Sequence, residues 1–179
     1  MTILWIAASI LGAVGVWIVF WVAVTFLVGR STKQEQFERG RLPSPAPNGF
    51  FSGTAYLLGG GPVPWLGKSF EPEKNVGFNI FTPRGASLLK VMTPFYKLFR
   101  MNADGNTDAY YFKTSTSQGF RDMHMQTFKL DYDSPENPFL IRIILDEIVE
   151  TAPDEYLGKV HMKVFPGYRA TIGFFGLHK

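Results

Sequence analysis

The stretch KVHMKVFPGYRATIGFFGL, from Lys159 to Leu177, contains the clearest pattern in the chain. Its first part alternates strictly, since Val160, Met162 and Val164 are separated by lysine or histidine, and a period of two residues is that of a β-strand. The FPGY segment (165–168) is typical of a type II turn, with proline second and glycine third. A second strand follows. The stretch therefore predicts an antiparallel hairpin whose valines and methionine point into a core.

A third strand is predicted just before this hairpin. The segment FLIRIILDEIVE (139–150) is rich in isoleucine and valine, whose branched side chains favour strands over helices. A helix is the alternative, since Arg142, Asp146 and Glu150 are four residues apart. Turn residues at 152–154 separate this strand from the next, so the three strands are predicted to form an antiparallel meander.

The rest of the chain after residue 48 has the same character. Short apolar or alternating runs bounded by proline and glycine predict further strands. They are GFFSGTAYLL (49–58), LGKSF (66–70), VGFNIFT (76–82), TDAYYFKTST (107–116) and GFRDMHMQTFKLDYD (119–133). About eight antiparallel strands in a chain of this size indicate a barrel or a sandwich, and a closed barrel leaves no strand edge exposed.

This strand order and the final meander resemble the barrels of lipocalins and fatty-acid-binding proteins. Lipocalins carry a Gly-x-Trp pattern near their first strand, where this chain has Gly49-Phe50-Phe51, and the nearest tryptophan is Trp65. The resemblance therefore implies an architecture, a lipocalin-like barrel, and identifies no site residue.

The N-terminal stretch from Ile3 to Gly29 contains no charged residue. A helix rises about 1.5 Å per residue, so about 20 residues cross the hydrocarbon core of a bilayer, and this stretch is longer. A cleaved signal peptide is the alternative, but no basic residue precedes the apolar run and no Ala-x-Ala-like site follows it. Residues 1–30 are therefore predicted to be a transmembrane anchor.

The flanks of the anchor predict its orientation. Arg30, Lys33, Arg39 and Arg41 follow the apolar stretch, and basic residues close to a span stay on the cytoplasmic side. We therefore expect a single-pass protein of the cell (inner) membrane, with its N-terminus outside and its C-terminal domain in the cytoplasm. The chain has no cysteine, which is compatible with a reducing compartment.

One side of the anchor carries small residues at helical spacing. Ala8 and Gly12 are four apart and Gly15 follows, a spacing that lets another helix approach closely. Trp17 and Trp21 are also four apart and share one side. These five residues are predicted to form a face that docks against other transmembrane subunits.

Residues 31–48 begin polar and charged and end in LPSPAPN, whose alternating prolines favour an extended spacer. They are predicted to be a juxtamembrane linker, and residues 49–179 to be the β domain. The net charge of +3 is small. Much of it lies near the anchor, where anionic headgroups account for it, so no nucleic-acid partner is predicted and Arg30 and Lys33 are expected at the membrane interface.

The segment ASLLKVMTPFYKLFRM (86–101) departs from the β pattern. On a helical wheel, one face is apolar and the opposite face is mostly basic. The apolar set is Leu88, Met92, Phe95 and Phe99, and the opposite set is Lys90, Thr93, Lys97 and Arg100. Such a helix either lies in a membrane interface, with its three basic residues at the headgroups, or closes one end of the barrel. Pro94 is expected to kink it or to split it in two.

No motif in the chain predicts catalysis. The WLGKS segment (65–69) ends like a phosphate-binding loop, but Pro62 stands where the loop needs its first glycine, so Lys68 is predicted to be an exposed strand residue. His124 and Asp122 are two apart on one predicted strand face, yet no third metal ligand lies beside them. We therefore predict no enzyme activity, no cofactor and no metal site.

Two adjacent acids interrupt the apolar run of the predicted third strand. Asp146 and Glu147 face opposite sides of a strand, so one of them points inward, and pairing with Arg142 or Arg121 is expected. His161 lies between two lysines on the predicted outer face, where a solvated or hydrogen-bonded side chain is expected.

Two functions fit these predictions. The first is a non-catalytic accessory subunit that docks on a larger membrane complex through its transmembrane helix, with its β domain at the cytoplasmic surface. The second is a membrane-tethered, lipocalin-like carrier of an apolar ligand such as a lipid, quinone or pigment, since pockets of this kind are mostly apolar. The sequence favours the first, which requires no ligand. Membrane lipids are expected partners in both.

Overall fold

Over the residues that the structure describes, the chain forms nine strands and four helices. The computed structural model describes residues 2–56 and 63–179 and, in the first helix, side chains from Trp5 onward except those of residues 7, 8, 10 and 11. The helices are α1 Thr2–Gly29, α2 Thr32–Glu38, α3 Pro83–Met92 and α4 Phe139–Arg142, with a 3-10 turn at Pro72–Lys74. The strands are β1 Gly49–Tyr56, β2 Trp65–Glu71, β3 Val76–Phe81, β4 Arg100–Met101, β5 Thr107–Gln118, β6 Gln126–Asp131, β7 Ile144–Ala152, β8 Glu155–Phe165 and β9 Tyr168–His178.

The predicted C-terminal meander is confirmed. Strands β7, β8 and β9 pair consecutively and antiparallel, and the turn between β8 and β9 joins Phe165 to Tyr168. Gly167 in this turn has a φ of +80°, which glycine adopts without strain. The segment 139–150 is mainly strand, since only the short helix α4 precedes β7.

Eight of the strands close into an antiparallel barrel. Hydrogen-bonded neighbours follow the order β1-β2-β3-β5-β6-β7-β8-β9, and β9 pairs back with β1. Strand β3 pairs with β5 from Val76 to Phe81. The short β4 pairs with the first two residues of β5, on the edge opposite β3, and is not part of the ring. Every strand of the ring therefore has two partners, which confirms the predicted barrel and excludes the sandwich.

The barrel has two different ends. We call one end of the barrel the mouth. At this end β3 finishes, β7 starts and a turn joins β8 to β9, and the connections there contain α3 and α4. Large apolar side chains fill the barrel toward the other end. They include Phe51, Phe70, Phe112, Leu130, Ile148 and Leu177.

The predicted helix over 86–101 is shorter than expected. Helix α3 ends at Met92, because Pro94 lacks a backbone donor and disfavours a helical conformation at Thr93. Of the predicted apolar set, Phe99 packs on the barrel core, whereas Leu88, Met92 and Phe95 are exposed, and Leu89 packs on the core instead. Most of this face therefore does not close the barrel, and its contact with a membrane stays a prediction.

The segment 119–125 is a loop and not the predicted start of a strand. The amide of Met125 donates to the carbonyl of Asp122, which closes a turn, and β6 begins only at Gln126. The loop folds across the outer face of β7, β8 and β9, where Phe120 donates its amide to Glu147 over 2.7 Å.

Helix α1 is long and apolar enough to cross a membrane. Its last turns pack on the outside of the barrel, where Val28 is buried in a cluster with Phe174. The hydroxyl oxygen of Thr25 accepts a hydrogen bond from the amide of Thr171 over 3.2 Å. The apolar stretch therefore includes a surface that packs against the protein's own β domain.

The segment 31–48 contains helix α2 in its first half. Phe37 on this helix is fully buried beside Phe174, and their ring centres are 6.3 Å apart. Arg41 then exchanges two backbone hydrogen bonds with Glu150 on β7. The alternating prolines follow this contact and lead into β1. The connection between α1 and β1 is therefore packed on the barrel along part of its length.

Candidate functional site: an apolar cavity with a buried polar cluster

An apolar cavity of about 590 Å³ occupies the mouth end of the barrel. Strands of the barrel wall and both helices at the mouth contribute to its lining. Among the lining residues are Leu89, Ile141, Ile144, Val160 and Phe175. A cavity of this volume and composition is typical of sites that hold a small apolar molecule.

A buried ion pair lies in the wall of this cavity. The ammonium of Lys68 on β2 is 3.0 Å from Oδ2 of Asp146 on β7, and each residue is 3% exposed. Both residues also line the cavity. Transfer of an ion from water into a protein interior costs several kcal/mol, so a buried pair requires further hydrogen bonds.

Two neighbouring side chains, Asn79 and Tyr132, supply those hydrogen bonds, and Trp65 bonds to one of them. Lys68 donates to Oδ1 of Asn79 over 2.9 Å and also to the hydroxyl of Tyr132. Tyr132 donates in turn to Oδ2 of Asp146 over 3.2 Å, and the indole N–H of Trp65 donates to Oδ1 of Asn79 over 3.1 Å. We call Lys68, Asn79, Tyr132 and Asp146 the interior polar cluster.

Aromatic rings surround the ammonium of Lys68. Its nitrogen lies 4.9 Å from the centre of the Phe175 ring, and the rings of Tyr132, Phe112 and Trp65 follow at 5.2, 5.3 and 5.4 Å. Burial lowers the pKa of Lys68, and the charge of Asp146 opposes this shift. Burial also raises the pKa of Tyr132 well above its usual value, so its phenol stays neutral and can donate.

One acceptor of the interior polar cluster has no partner. Oδ1 of Asp146 is buried and receives no hydrogen bond from the residues that the structure describes. Leaving a buried acceptor unsatisfied costs about 1–3 kcal/mol. Asp146 lines the cavity, so a rotation of its carboxylate would let a hydroxyl or N–H group of a bound molecule satisfy this oxygen.

Strand β5 bulges where it borders the cavity. It has one residue more than β3 in this stretch, and Tyr110 takes a positive φ of 53°. The amide of Tyr110 donates to the hydroxyl of Tyr96 over 2.8 Å, and the Tyr110 hydroxyl lies 3.0 Å from Oγ1 of Thr93 at the end of α3. Burial raises the pKa of Tyr96 to about 12. Hydrogen bonds of the Tyr96 and Tyr110 hydroxyls therefore hold the end of α3 and the segment after it against the bulge at the mouth.

Two predictions about the interior residues are wrong. Lys68 lies inside the barrel rather than at the surface, because β2 places it on the same face as Phe70. Asp146 pairs with Lys68 rather than with Arg142 or Arg121, since neither arginine enters the barrel.

A second polar cluster lies on the outer face of β7 and β8. Nε2 of His161 is 3.0 Å from Oε2 of Glu147, and Nδ1 is 3.1 Å from Oγ1 of Thr171. Burial lowers the pKa of His161 although Glu147 opposes the shift. Burial acts to raise the pKa of Glu147, but the hydrogen bonds that its carboxylate accepts from His161 and from the amide of Phe120, together with the charge of Lys129, outweigh it and the net pKa is lowered. His161 is therefore a neutral imidazole that donates to the carboxylate and accepts from Thr171.

This outer cluster is covered rather than solvated. The buried Lys159 pairs with Asp122 from the β5–β6 loop, and Gln34 of α2 donates to the same carboxylate over 2.8 Å. Of the two expected states of His161, solvated or hydrogen-bonded, the structure has the second, because the loop and α2 cover the face on which it lies. His124 is exposed while Asp122 is buried against Lys159, so the predicted pair of His124 and Asp122 is not brought together.

Neither polar cluster has the donor set of a metal site. Across residues 2–56 and 63–179, no group of three or more histidine, cysteine or acidic side chains is placed to hold a metal ion. The interior polar cluster has one carboxylate, already bonded to an ammonium, and both ring nitrogens of His161 are hydrogen-bonded.

The residues predicted to lie at a membrane interface are near the surface. Lys33 is half-buried, with its ammonium 4.2 Å from the centre of the Tyr56 ring. The other four residues, Arg30, Lys90, Lys97 and Arg100, are exposed. Contact of these side chains with lipid stays a prediction.

The predicted helix-docking face, except for Trp21, lies on the part of α1 that precedes the barrel contacts. Gly12 and Gly15 have open space where a side chain would begin. Trp17 packs edge-on against Trp21, and Trp21 also packs against the protein's own barrel. The side chain of Ala8 lies outside the described part of the structure. Docking of this face on another subunit stays a prediction.

Comparisons with known proteins identify a fold and no family. No family model matches the chain, and no curated protein matches it in sequence. A crystal structure of a protein from Thermomonospora curvata is similar, with a TM-score of 0.51 and 17% sequence identity. The match covers 84% of this chain and 86% of that chain. At this identity the similarity supports the barrel fold alone.

Proposed function

We propose that the protein is a membrane-tethered binder of a small apolar molecule that carries one polar group. The observation that carries this proposal is the apolar cavity of about 590 Å³ with the interior polar cluster in its wall. The cavity takes the apolar body of the ligand, and the carboxylate of Asp146, turned so that its unpartnered Oδ1 faces the cavity, accepts a hydrogen bond from its polar end. Lipids, quinols and hydroxylated pigments have this chemistry.

The charge of the interior polar cluster favours an uncharged ligand. Lys68 already balances Asp146, so the pair carries no net charge. A ligand with a free carboxylate would bring a second negative charge into an apolar cavity, which is costly. An alcohol, a phenol or an amide brings a donor without that cost. We therefore expect neutral amphiphiles to bind in preference to fatty acids.

The interior polar cluster is also difficult to explain by stability alone. Replacement of a buried ion pair with well-packed apolar residues is often neutral or stabilising by about 1–4 kcal/mol. An apolar set of side chains at positions 68, 79, 132 and 146 would fill the mouth end of the barrel more simply. Recognition of a ligand is a reason to keep polar groups there.

Helix α1 supports the tether. It is long and apolar enough to span a bilayer, and Arg30 and Lys33 follow it. On this proposal the barrel lies at the cytoplasmic surface of the cell membrane, as the basic residues predict. The ligand is then a molecule that partitions into the same membrane.

Organic extraction of the full chain, purified from membranes in mild detergent, tests the proposal. Mass spectrometry of the extract should identify one neutral amphiphile that is enriched relative to bulk lipid. Two variants that fill the cavity, Val160→Trp and Ala55→Phe, should lose it, whereas Met123→Trp, at an exposed loop position, should retain it. Equal extracts from folded forms of all four proteins would refute the proposal.

The accessory-subunit hypothesis stays a prediction. It concerns the open face of α1 around Gly12 and Gly15, and it is compatible with a ligand in the barrel. The same purification tests it, because a docked subunit should copurify with other membrane proteins and should lose them when both glycines are replaced by leucine.

A further inference from the structure

Exposed apolar side chains surround the mouth of the barrel. Phe95 is 91% exposed and Phe139 is 75% exposed. The full set, which we call the apolar rim, is Leu88, Val91, Met92, Phe95, Phe139 and Leu140. Soluble monomeric proteins rarely expose a contiguous patch of large apolar side chains, and a patch of this kind marks an interaction site.

The apolar rim is continuous and borders the cavity. Met92, Phe95, Phe139 and Leu140 line one shared groove. Leu88 precedes Met92 by one helical turn on α3, so their side chains are neighbours. Met92 lines the cavity as well as the groove. Whatever covers the rim therefore also meets the opening of the cavity.

The anchor helix leaves the barrel at the same end. Thr25 accepts hydrogen bonds from Tyr168 and Thr171, which lie where β9 starts, at the mouth. The chain that follows α1 then runs toward the opposite end, where Arg41 bonds to Glu150. The part of α1 before Thr25 therefore extends past the mouth, and its side chains from Val14 to Phe20 are exposed.

The length of α1 agrees with this arrangement. A span of about 20 residues crosses a bilayer. The contacts of α1 with the barrel begin near Trp21, and the part of the helix before this residue lies beyond the mouth. A span that includes this part of the helix brings the mouth of the barrel to the bilayer surface.

We propose that the apolar rim inserts into the bilayer, so that the cavity opens to lipid rather than to water. The exposed Lys90 and Lys97 lie beside the rim, where they suit anionic headgroups. The ligand then passes between membrane and cavity without crossing water. Insertion of the rim rests on the proposed anchoring by α1 and does not require that the cavity be occupied.

Single-cysteine labelling tests this inference, because the natural chain has no cysteine. The full chain is reconstituted in vesicles of phosphatidylcholine and phosphatidylglycerol that contain a spin-labelled lipid. A bimane probe is attached to Phe95→Cys or Phe139→Cys in the rim, to Val14→Cys in α1, or to Phe50→Cys. Phe50 is the matched control, since it is an exposed apolar residue near the opposite end of the barrel.

The expected result is blue-shifted emission and strong quenching at both rim positions, approaching the quenching at Val14, with quenching at Phe50 near background. Quenching at Val14 alone would show that α1 enters the bilayer and would overturn insertion of the rim. Quenching at none of the positions would overturn both the rim inference and the proposed anchoring. Both rim side chains are largely exposed, so their replacement leaves the core intact, and circular dichroism verifies the fold.

Discussion

Lys68 on β2 and Asp146 on β7 form a buried ion pair inside the barrel, with Nζ 3.0 Å from Oδ2. The two strands are not neighbours in the sheet, since β3, β5 and β6 separate them on one side and β1, β9 and β8 on the other. The pair therefore crosses the interior and joins opposite walls. It places a polar group beside a cavity whose other walls are mainly apolar.

Replacement of Lys68 by methionine should destabilise the barrel by about 3–5 kcal/mol, because it leaves the Asp146 carboxylate buried without its counter-charge. Urea unfolding of the detergent-solubilised protein, followed by circular dichroism, measures this change. The double variant Lys68→Met/Asp146→Leu is the control, and most of the lost stability should return.

The same double variant separates stability from binding. It should fold and yet lose the copurifying amphiphile, because the donor–acceptor set at the cavity wall is gone. If the double variant retained the ligand at the level of the natural chain, the interior polar cluster would have only a structural role.

Acid should destabilise the protein through His161. Burial lowers the pKa of His161 in the folded state, so the unfolded chain, with a value near 6.5, binds the proton more readily. The free energy of unfolding should therefore fall as the pH drops below 6.5, and Glu147, whose pKa is lowered from 4.5, should add a further loss in more acidic solution. Urea midpoints measured from pH 7.5 to 4 follow both effects.

The variant His161→Gln serves as the comparison for this pH dependence. Glutamine keeps a donor for Glu147 but does not titrate, so the slope between pH 6.5 and 5 should become flatter whatever the absolute stability. Parallel curves for the two proteins would show that other groups cause the loss.

Contact between α1 and the barrel should depend on Thr25. Its hydroxyl oxygen accepts the amide of Thr171 over 3.2 Å, and valine at this position would leave that amide without an acceptor. Thr25→Val should therefore speed hydrogen exchange at Thr171 and cost about 1–3 kcal/mol of local stability. The control is Val22→Thr, at an exposed position of α1, which should leave the exchange rate unchanged.

The predicted orientation can be tested with a membrane-impermeant maleimide. Asp154→Cys, in the exposed turn between β7 and β8, should react only after cells are permeabilised, whereas Thr2→Cys should react in intact cells. The opposite pattern would place the barrel outside the cytoplasm and reverse the orientation that Arg30 and Lys33 predict.

The strands were predictable because their pattern is local. The alternation at Val160, Met162 and Val164 and the turn at 165–168 both follow from neighbouring residues, and these elements are as expected. The end of α3 at Met92 has a local cause as well, which is Pro94. A break at this proline was expected, whereas the packing of Leu89 on the barrel was not.

The interior polar cluster could not be predicted in the same way, because it joins residues from distant strands. One signal was present for Lys68: it is two residues from Phe70, so strand alternation places both on one face. Another signal lay in β7, both of whose faces are apolar. On the outer face Glu147 lies between Leu145 and Val149, and on the inner face Asp146 lies between Ile144 and Ile148. A strand that is apolar on both faces is covered on both sides.

The length of the apolar stretch has a similar explanation. The run from Ile3 to Gly29 exceeds what a span requires, and the structure shows that Val24 and Val28 in its last turns are buried against the barrel. Hydropathy alone does not distinguish a residue that faces lipid from one that packs on its own domain. Only the three-dimensional structure shows that these valines pack on β9.

Native mass spectrometry of the full chain released from detergent micelles tests the central claim most directly. The account predicts a population whose mass exceeds that of the polypeptide by one neutral amphiphile, at one copy per chain, and its loss in Val160→Trp but not in Met123→Trp. A folded protein that shows only the polypeptide mass, in every membrane preparation and after incubation with membrane lipid extract, would contradict it.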